Sequence, residues 1–78
     1  MPKVIVYSTP ICPYCIKAKQ FLKQNNVKFE DIDVSMNPVK GQEMMQKSGQ
    51  TGVPVIDIDG EIVIGYDVTR LKSLLGIK

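Results

Sequence analysis

Residues 4–15 read VIVYSTPICPYC, and this stretch determines how the rest of the chain is interpreted. An apolar, β-branched run is followed by a few polar residues and then by two cysteines, Cys12 and Cys15, with two residues between them. Residues 16–22 then show apolar side chains at helical spacing. A strand that leads into Cys-x-x-Cys at the start of a helix is the usual context of a redox-active dithiol.

Length and composition point to one small globular domain spanning residues 1–78. The chain is 44% hydrophobic and 23% charged, which is ordinary for a globular protein, and its formal charge is only +2. The basic residues form no block, so we expect no nucleic-acid partner, and no apolar run is long enough to predict a membrane partner. The strand pattern begins directly after Met1, which leaves no room for a signal peptide and favours a cytoplasmic location. In reducing cytosol, paired cysteines favour redox or metal chemistry over a structural disulfide.

Apolar periodicity and turn residues predict four strands and three helices. In chain order they are a strand over 3–7, a helix from Pro13 to Asn25-Asn26, a strand over 27–34, a helix from Pro38 to about Lys47, strands over 53–58 and 61–64, and a helix capped by Asp67. Asp59-Gly60 predicts a two-residue type I′ turn between the last two strands. The first strand–helix–strand unit requires a parallel pair with a right-handed crossover. The expected fold class is therefore α/β (βαβ-α-ββα), a four-stranded mixed sheet with three helices on its two faces.

The position of each cysteine predicts its role. Cys12 lies where a helix begins, so free backbone N–H groups and the helix dipole favour its thiolate, which is the form that attacks disulfides. Cys15 is one turn later and partly covered, so we expect it to be less acidic and to resolve the mixed disulfide formed on Cys12, after which an external thiol reduces the pair. We expect Tyr14 to lie beside Cys12 and shape a groove. Lys17 and Lys19 could supply a positive field at the site, but a solvated helix face is the favoured interpretation.

Other interpretations of the cysteine pair have less support in the sequence. A disulfide between residues three apart closes a very small loop and constrains the unfolded chain little. A zinc site needs about four ligands, and two cysteines with no histidine leave only a site shared between two chains, so we expect no metal. Two incidental buried cysteines would not need this spacing or this position at a strand-to-helix junction.

Two further segments give the chain a family resemblance. Together with the cysteine motif, Thr51-Gly52-Val53-Pro54 and Ile64-Gly65-Tyr66-Asp67 make the whole chain resemble glutaredoxins. The resemblance implies a thioredoxin-like fold, a cis Pro54 against the active site, and a monomer that uses glutathione as co-substrate with no tightly bound cofactor. It also implies that the partners are glutathione and disulfide-containing proteins.

The resemblance also implies a glutathione groove. The backbone of Val53 would pair with the cysteinyl part of glutathione in the manner of a β-strand. The segment Gly65-Tyr66-Asp67 would meet its γ-glutamyl end. The implied substrate-binding residues are Pro13, Tyr14, Gln50, Gly52, Val53, Pro54, Gly65, Tyr66 and Asp67.

Three positions depart from the family pattern. Dithiol glutaredoxins usually have a lysine where this chain has Thr9, and a first glycine of a pair where it has Ile64. Gln50 could replace a cationic partner by hydrogen bonding, although more weakly. These departures resemble redoxins that are reduced by thioredoxin reductase and donate electrons to ribonucleotide reductase. A third alternative is a dimer that binds an iron–sulfur cluster through Cys12 and glutathione, against which Pro13 and the second thiol argue.

Overall fold

The computed structural model describes residues 2–77 and contains the four strands and three helices that the sequence predicts. They are β1 (Val4–Ser8), α1 (Pro13–Gln24), β2 (Glu30–Asp33), α2 (Pro38–Ser48), β3 (Val55–Ile58), β4 (Glu61–Ile64) and α3 (Val68–Leu75). The strand order is β2-β1-β3-β4, with β1 parallel to β2 and the other neighbours antiparallel. The predicted α/β fold class with a four-stranded mixed sheet is confirmed.

Strand β1 divides the core into two parts because its side chains alternate between the faces of the sheet. Val4 and Val6 lie in the larger cluster, which α1 and α3 cover with Ala18, Leu22 and Leu71. Tyr7 points to the other face, where α2 covers it with Met44. Every one of these side chains is nearly or fully buried. The sheet therefore has helices on both faces, and the end of β1 is held rigidly where the chain enters the cysteine motif.

The helix starts follow the signals in the sequence. Cys12 is the N-cap of α1 and Pro13 occupies its first turn, where the missing N–H of proline is not needed. The side chain of Asn37 accepts a hydrogen bond from the Lys40 amide at the start of α2. Asp67 accepts one from the Arg70 amide at the start of α3, so its predicted capping role is confirmed. None of the helices in residues 2–77 has the length and apolar character needed to span a membrane.

The second and third strands are shorter than predicted. The backbone N–H of Val27 donates to the Leu22 carbonyl at 2.9 Å, which closes the turn after α1, so pairing begins only at Glu30. Pro54 has no N–H to donate to a ladder, and pairing on the third strand begins at Val55. The predicted strands over 27–34 and 53–58 were therefore too long at their N-terminal ends.

The hairpin between β3 and β4 has the predicted turn. Asp59 has φ = 51° and Gly60 has φ = 92°, and a type I′ turn requires a positive φ at both central residues. The side chain of Asp57 accepts a hydrogen bond from the Gly60 amide at 2.7 Å. This bond fixes the turn and the register of the two strands.

Candidate active site

Cys12 lies at the junction between β1 and α1 and is partly exposed. Its amide donates to the Thr9 carbonyl at 3.4 Å, which closes the turn that leads out of the strand. As the N-cap of α1, its Sγ accepts the backbone N–H of Cys15 at 3.3 Å. The sulfur therefore occupies the place of a capping oxygen, where free amides favour a negative charge.

The two thiols differ in acidity. Burial alone would raise the pKa of Cys12, but hydrogen bonds from the Cys15 side chain and from the Cys15 and Tyr14 amides, together with the charge of Lys19, lower it below the ordinary 9.0. Burial and the hydrogen bond to Cys12 raise the pKa of Cys15 to about 11, against a smaller lowering by the Thr9 backbone and Lys19. Cys15 is completely buried, and both cysteines are free thiols.

The segment before β3 meets the cysteine motif. The Val53–Pro54 peptide bond is cis, as the resemblance implied. The Cys12 thiol lies 3.8 Å from the Val53 carbonyl oxygen, to which it donates. Pro54 is buried, and its carbonyl accepts the Gly65 amide at 2.8 Å. These contacts bring the cysteine motif, the segment before β3 and the segment after β4 together around the Cys12 sulfur.

The outer predicted residues take different positions. Gln50 Nε2 donates to the Gly52 carbonyl at 3.5 Å, so the amide side chain lies along the exposed loop before Val53. Tyr66 packs its ring against Phe21, with centroids 6.3 Å apart in an edge-on arrangement, and it belongs to the core. We therefore expect any ligand contact of Tyr66 to come from its backbone. The Asp67 carboxylate is occupied by the N-cap bond described above.

An exposed apolar rim surrounds the nucleophile. Ile11, directly before Cys12, is 89% exposed, and Tyr14, within the motif, is 60% exposed. The Lys17 ammonium lies 5.4 Å from the centre of the Tyr14 ring, which places a positive charge over its face. The rim presents apolar surface and a cation to anything that approaches the Cys12 sulfur.

Lys19, on the first helix, is less exposed than the favoured interpretation of the sequence implies. Lys19 was interpreted as part of a solvated helix face, but its side chain is only 20% exposed and its Nζ lies 3.0 Å from Asp31 Oδ2. Its charge lowers the pKa of both cysteines, after the hydrogen-bonding effects. The available signal was spacing, since Lys19 is four residues after Cys15 and therefore on the same face of the helix.

Comparison with known proteins identifies the family. Residues 4–63 match the family model described as Glutaredoxin. The chain belongs to the glutaredoxin family. Among curated glutaredoxin relatives, it is 43% identical over 70 residues to an uncharacterized glutaredoxin-like 8.6 kDa protein in a rubredoxin operon of Clostridium pasteurianum, covering 90% of this chain and 93% of that one. It is 45% identical over 65 residues to the glutaredoxin of Pseudomonas aeruginosa, covering 83% and 76%.

Solved structures agree on the fold of this glutaredoxin. The crystal structure of a glutaredoxin from Archaeoglobus fulgidus superimposes with a TM-score of 0.88 at 30% identity, covering 96% of this chain and 87% of that one. The thioredoxin-like fold is thereby confirmed. Members of this family are thiol–disulfide oxidoreductases, and so is this chain. Within residues 2–77, no three His, Cys, Asp or Glu side chains converge to hold a metal ion.

The arrangement supports disulfide exchange by an unequal pair of thiols. Cys12 is accessible and held at a helix start, which favours attack on an external sulfur. Cys15 lies one turn further along α1, its backbone amide donates to the Cys12 sulfur at 3.3 Å, and its buried side chain is inaccessible to large substrates. The Val53 carbonyl lies beside the attacking sulfur, where the backbone of an extended peptide could pair with it once Cys12 has lost its proton.

Proposed function

We propose that the protein is a glutathione-dependent dithiol oxidoreductase that reduces protein disulfides and glutathione mixed disulfides. The observation that carries the proposal is the Cys12 sulfur, which caps α1, accepts the Cys15 amide and lies beside the Val53 carbonyl. We also propose that the protein acts in the cytoplasm as a monomer.

The reaction proceeds in two exchanges that transfer two electrons to the substrate. The Cys12 thiolate attacks one sulfur of the substrate disulfide, forms a mixed disulfide with it, and releases the other sulfur as a thiolate that takes up a proton. Cys15 then loses its proton and attacks the Cys12 sulfur. This second step releases the remaining substrate thiolate and leaves a Cys12–Cys15 disulfide.

Two glutathione molecules return the pair to the dithiol. The first glutathione thiolate attacks the Cys12 sulfur, which is the accessible one, and releases the Cys15 thiolate. The second attacks the glutathione sulfur of that mixed disulfide, so oxidised glutathione leaves and the Cys12 thiolate is regenerated. A substrate that already carries glutathione needs only Cys12. The Cys12 thiolate attacks the glutathione sulfur and releases the substrate thiol, and a second glutathione then regenerates Cys12 as oxidised glutathione leaves.

Single-cysteine variants test the assignment of the two thiols. Cys12→Ser is expected to abolish reduction of every disulfide. Cys15→Ser should keep reduction of a glutathione mixed disulfide of a small thiol but lose reduction of a protein disulfide such as that of insulin. Turnover of Cys12→Ser at the rate of the parent protein would overturn the mechanism.

A reductant assay tests the dependence on glutathione. Oxidation of NADPH is followed with glutathione and glutathione reductase, and separately with thioredoxin reductase alone. The proposal expects turnover in the first mixture and none in the second. Thr9, where a lysine would hold the glycine carboxylate of glutathione, favours the second candidate, a redoxin reduced by thioredoxin reductase that donates electrons to ribonucleotide reductase. Turnover only in the second mixture would establish that candidate and contradict ours.

A further inference from the structure

The buried resolving thiol has a cation beside it that the reaction above does not use. Lys19 follows Cys15 by four residues on α1, and residues at this spacing lie on the same face about 5–6 Å apart. Long side chains on a helix lean toward its N-terminus, which for Lys19 is the direction in which Cys15 lies. Its side chain is only 20% exposed, so water screens its charge less than that of a fully exposed lysine.

The position of the Lys19 ammonium is fixed from the sheet. Asp31 Oδ2 binds Lys19 Nζ at 3.0 Å, and the other carboxylate oxygen, Oδ1, accepts the hydroxyl of Ser8 at 2.7 Å. Ser8 is buried at the end of β1, directly before Thr9, whose carbonyl accepts the Cys12 amide in the turn that leads into the cysteine motif. One chain of contacts thus runs from the ammonium through the sheet to the loop that holds the thiol.

The charge of Cys12 opposes a Cys15 thiolate in the reduced protein, but in the mixed disulfide the Cys12 sulfur is uncharged. On α1, the titratable groups that face it are Cys12 and Lys19, and the end of β1 contributes the uncharged Thr9. Asp31 on β2 is a carboxylate in this arrangement, and both Lys19 and Ser8 bind it. The segment before β3 contributes the uncharged Val53, which contacts Cys12.

We propose that Lys19 is a positioning residue for the second exchange: its ammonium, held by Asp31, stabilises the thiolate that Cys15 must become in order to attack the Cys12 sulfur. The inference rests on the proposed dithiol cycle. In that step the Cys15 proton leaves to solvent, a sulfur–sulfur bond forms between the two cysteines, and the bond between Cys12 and the substrate breaks. Lys19 takes no proton and forms no bond, and acts only through its charge.

The test separates the second exchange from the first. Cys12 is loaded with glutathione by treating the reduced protein with oxidised glutathione, and release of glutathione as Cys15 attacks is followed by rapid mixing and acid quenching. In Lys19→Gln we expect this release to slow roughly threefold near neutral pH, because loss of the ammonium raises the pKa of Cys15 and leaves less thiolate to attack. Reduction of a glutathione mixed disulfide of a small thiol, which needs only Cys12, should slow less.

Two further variants make the result specific. Lys19→Arg keeps the charge and should restore the release rate to within about twofold of the parent. Lys23→Gln removes an exposed charge one turn farther along the same helix and should leave the rate unchanged. A Lys19→Gln release rate equal to that of the parent, or a loss shared equally by Lys23→Gln, would overturn the inference. Failure of the proposed function would be seen separately, as a Cys15→Ser variant that still reduces insulin.

Discussion

Among residues 2–77, each face of the sheet carries one lysine–aspartate ion pair between a helix and a strand, and the two pairs have different surroundings. On the face covered by α1, Lys19 binds Asp31 at 3.0 Å, and on the face covered by α2, Lys47 binds Asp57 at 2.8 Å. Each pair is tied to β1 by a hydroxyl group. Ser8 donates to Asp31, and the hydroxyl of the neighbouring residue, Tyr7, accepts from Lys47 at 2.8 Å.

The two pairs differ in burial and in what they adjoin. The Asp31 side chain is 44% exposed, whereas that of Asp57 is 11% exposed and also accepts the Gly60 amide. On the α2 face the Tyr7 hydroxyl donates to Glu43, which extends the network further into the helix. The α1 pair borders the thiols instead. A lysine–aspartate pair therefore holds α2 against the sheet on one face. On the other face, the lysine of such a pair lowers the pKa of the two cysteines.

The largest expected contrast is that the reactivity of Cys12 on the α1 face changes with pH near neutrality, whereas the stability contributed by the α2 face does not. Because hydrogen bonds and Lys19 lower the pKa of Cys12 below 9.0 despite its burial, its thiolate should predominate at a lower pH than in an ordinary cysteine. Below that pKa, the rate of alkylation by limiting iodoacetamide should fall about tenfold for each pH unit, because only the thiolate reacts. The rate is measured on the reduced protein, with the Cys12 adduct identified by mass spectrometry.

Tyr7 and Asp57 on the α2 face should not change their protonation over the same pH range. Burial is the main reason that the pKa of Tyr7 lies above its ordinary 10.0, while hydrogen bonds lower the pKa of Asp57 below 3.8 in spite of burial. The free energy of unfolding that this network contributes should therefore be constant across neutral pH while Cys12 reactivity changes. An alkylation midpoint at or above pH 9.0 would contradict the contrast.

The sequence predicted the thiols and, through the family resemblance, the cis Pro54 near them, but it did not predict the ion pair of Lys19 with Asp31, and the reason is physical. Spacing along one helix is local, so Cys12, Cys15 and the cap at the helix start could be read directly from the motif. The ion pair of Lys19 was not predicted because its partner, Asp31, lies on β2 and meets α1 only in the folded chain. That contact requires the parallel register in which Asp31 lies opposite Val6, two residues before Ser8 on the same face.

The same limit applies on the other face. Asp57 lies opposite Ile5 in the antiparallel pairing, so its carboxylate points to the α2 face among apolar neighbours. The apolar run over residues 53–58 predicted a strand, but it did not identify a partner for the buried carboxylate of Asp57. Burial of Asp57 could only be recognised as favourable once the lysine at the end of α2 was known to reach it. Long-range pairing supplies the information that local patterns lack.

The next contrast is in stability. Asp57→Asn removes the charge that pairs with a partly buried lysine, and we expect it to lower the free energy of unfolding by about 2 kcal/mol in urea denaturation. The matched variant Asp31→Asn keeps an oxygen that can accept from Ser8 and is more exposed, so its loss should stay below about 1 kcal/mol. Equal losses for the two variants would show that burial does not distinguish the two faces.

The stability difference should also depend on acid. The folded-state pKa of Asp57 is depressed, so its contribution is fully present above its unfolded value near 3.8 and is lost as the pH falls through the lower folded value. The difference between the parent protein and Asp57→Asn should therefore be constant at neutral pH and disappear below pH 3.8. A difference that persisted in strong acid would mean that the variant perturbs packing and not the charge.

The smallest effect is expected at a third pair, which isolates the contribution of burial. Arg70 on α3 lies 3.7 Å from Glu61 on β4, again between a helix and a strand, but the side chains are 46% and 64% exposed. Glu61→Gln should change the free energy of unfolding by about 0.3 kcal/mol or less, and added salt should remove even that difference. Because the charges match those of the α2 pair, a loss as large as that of Asp57→Asn would mean that pairing alone, without burial and without a hydroxyl from β1, is enough to hold a helix on this sheet.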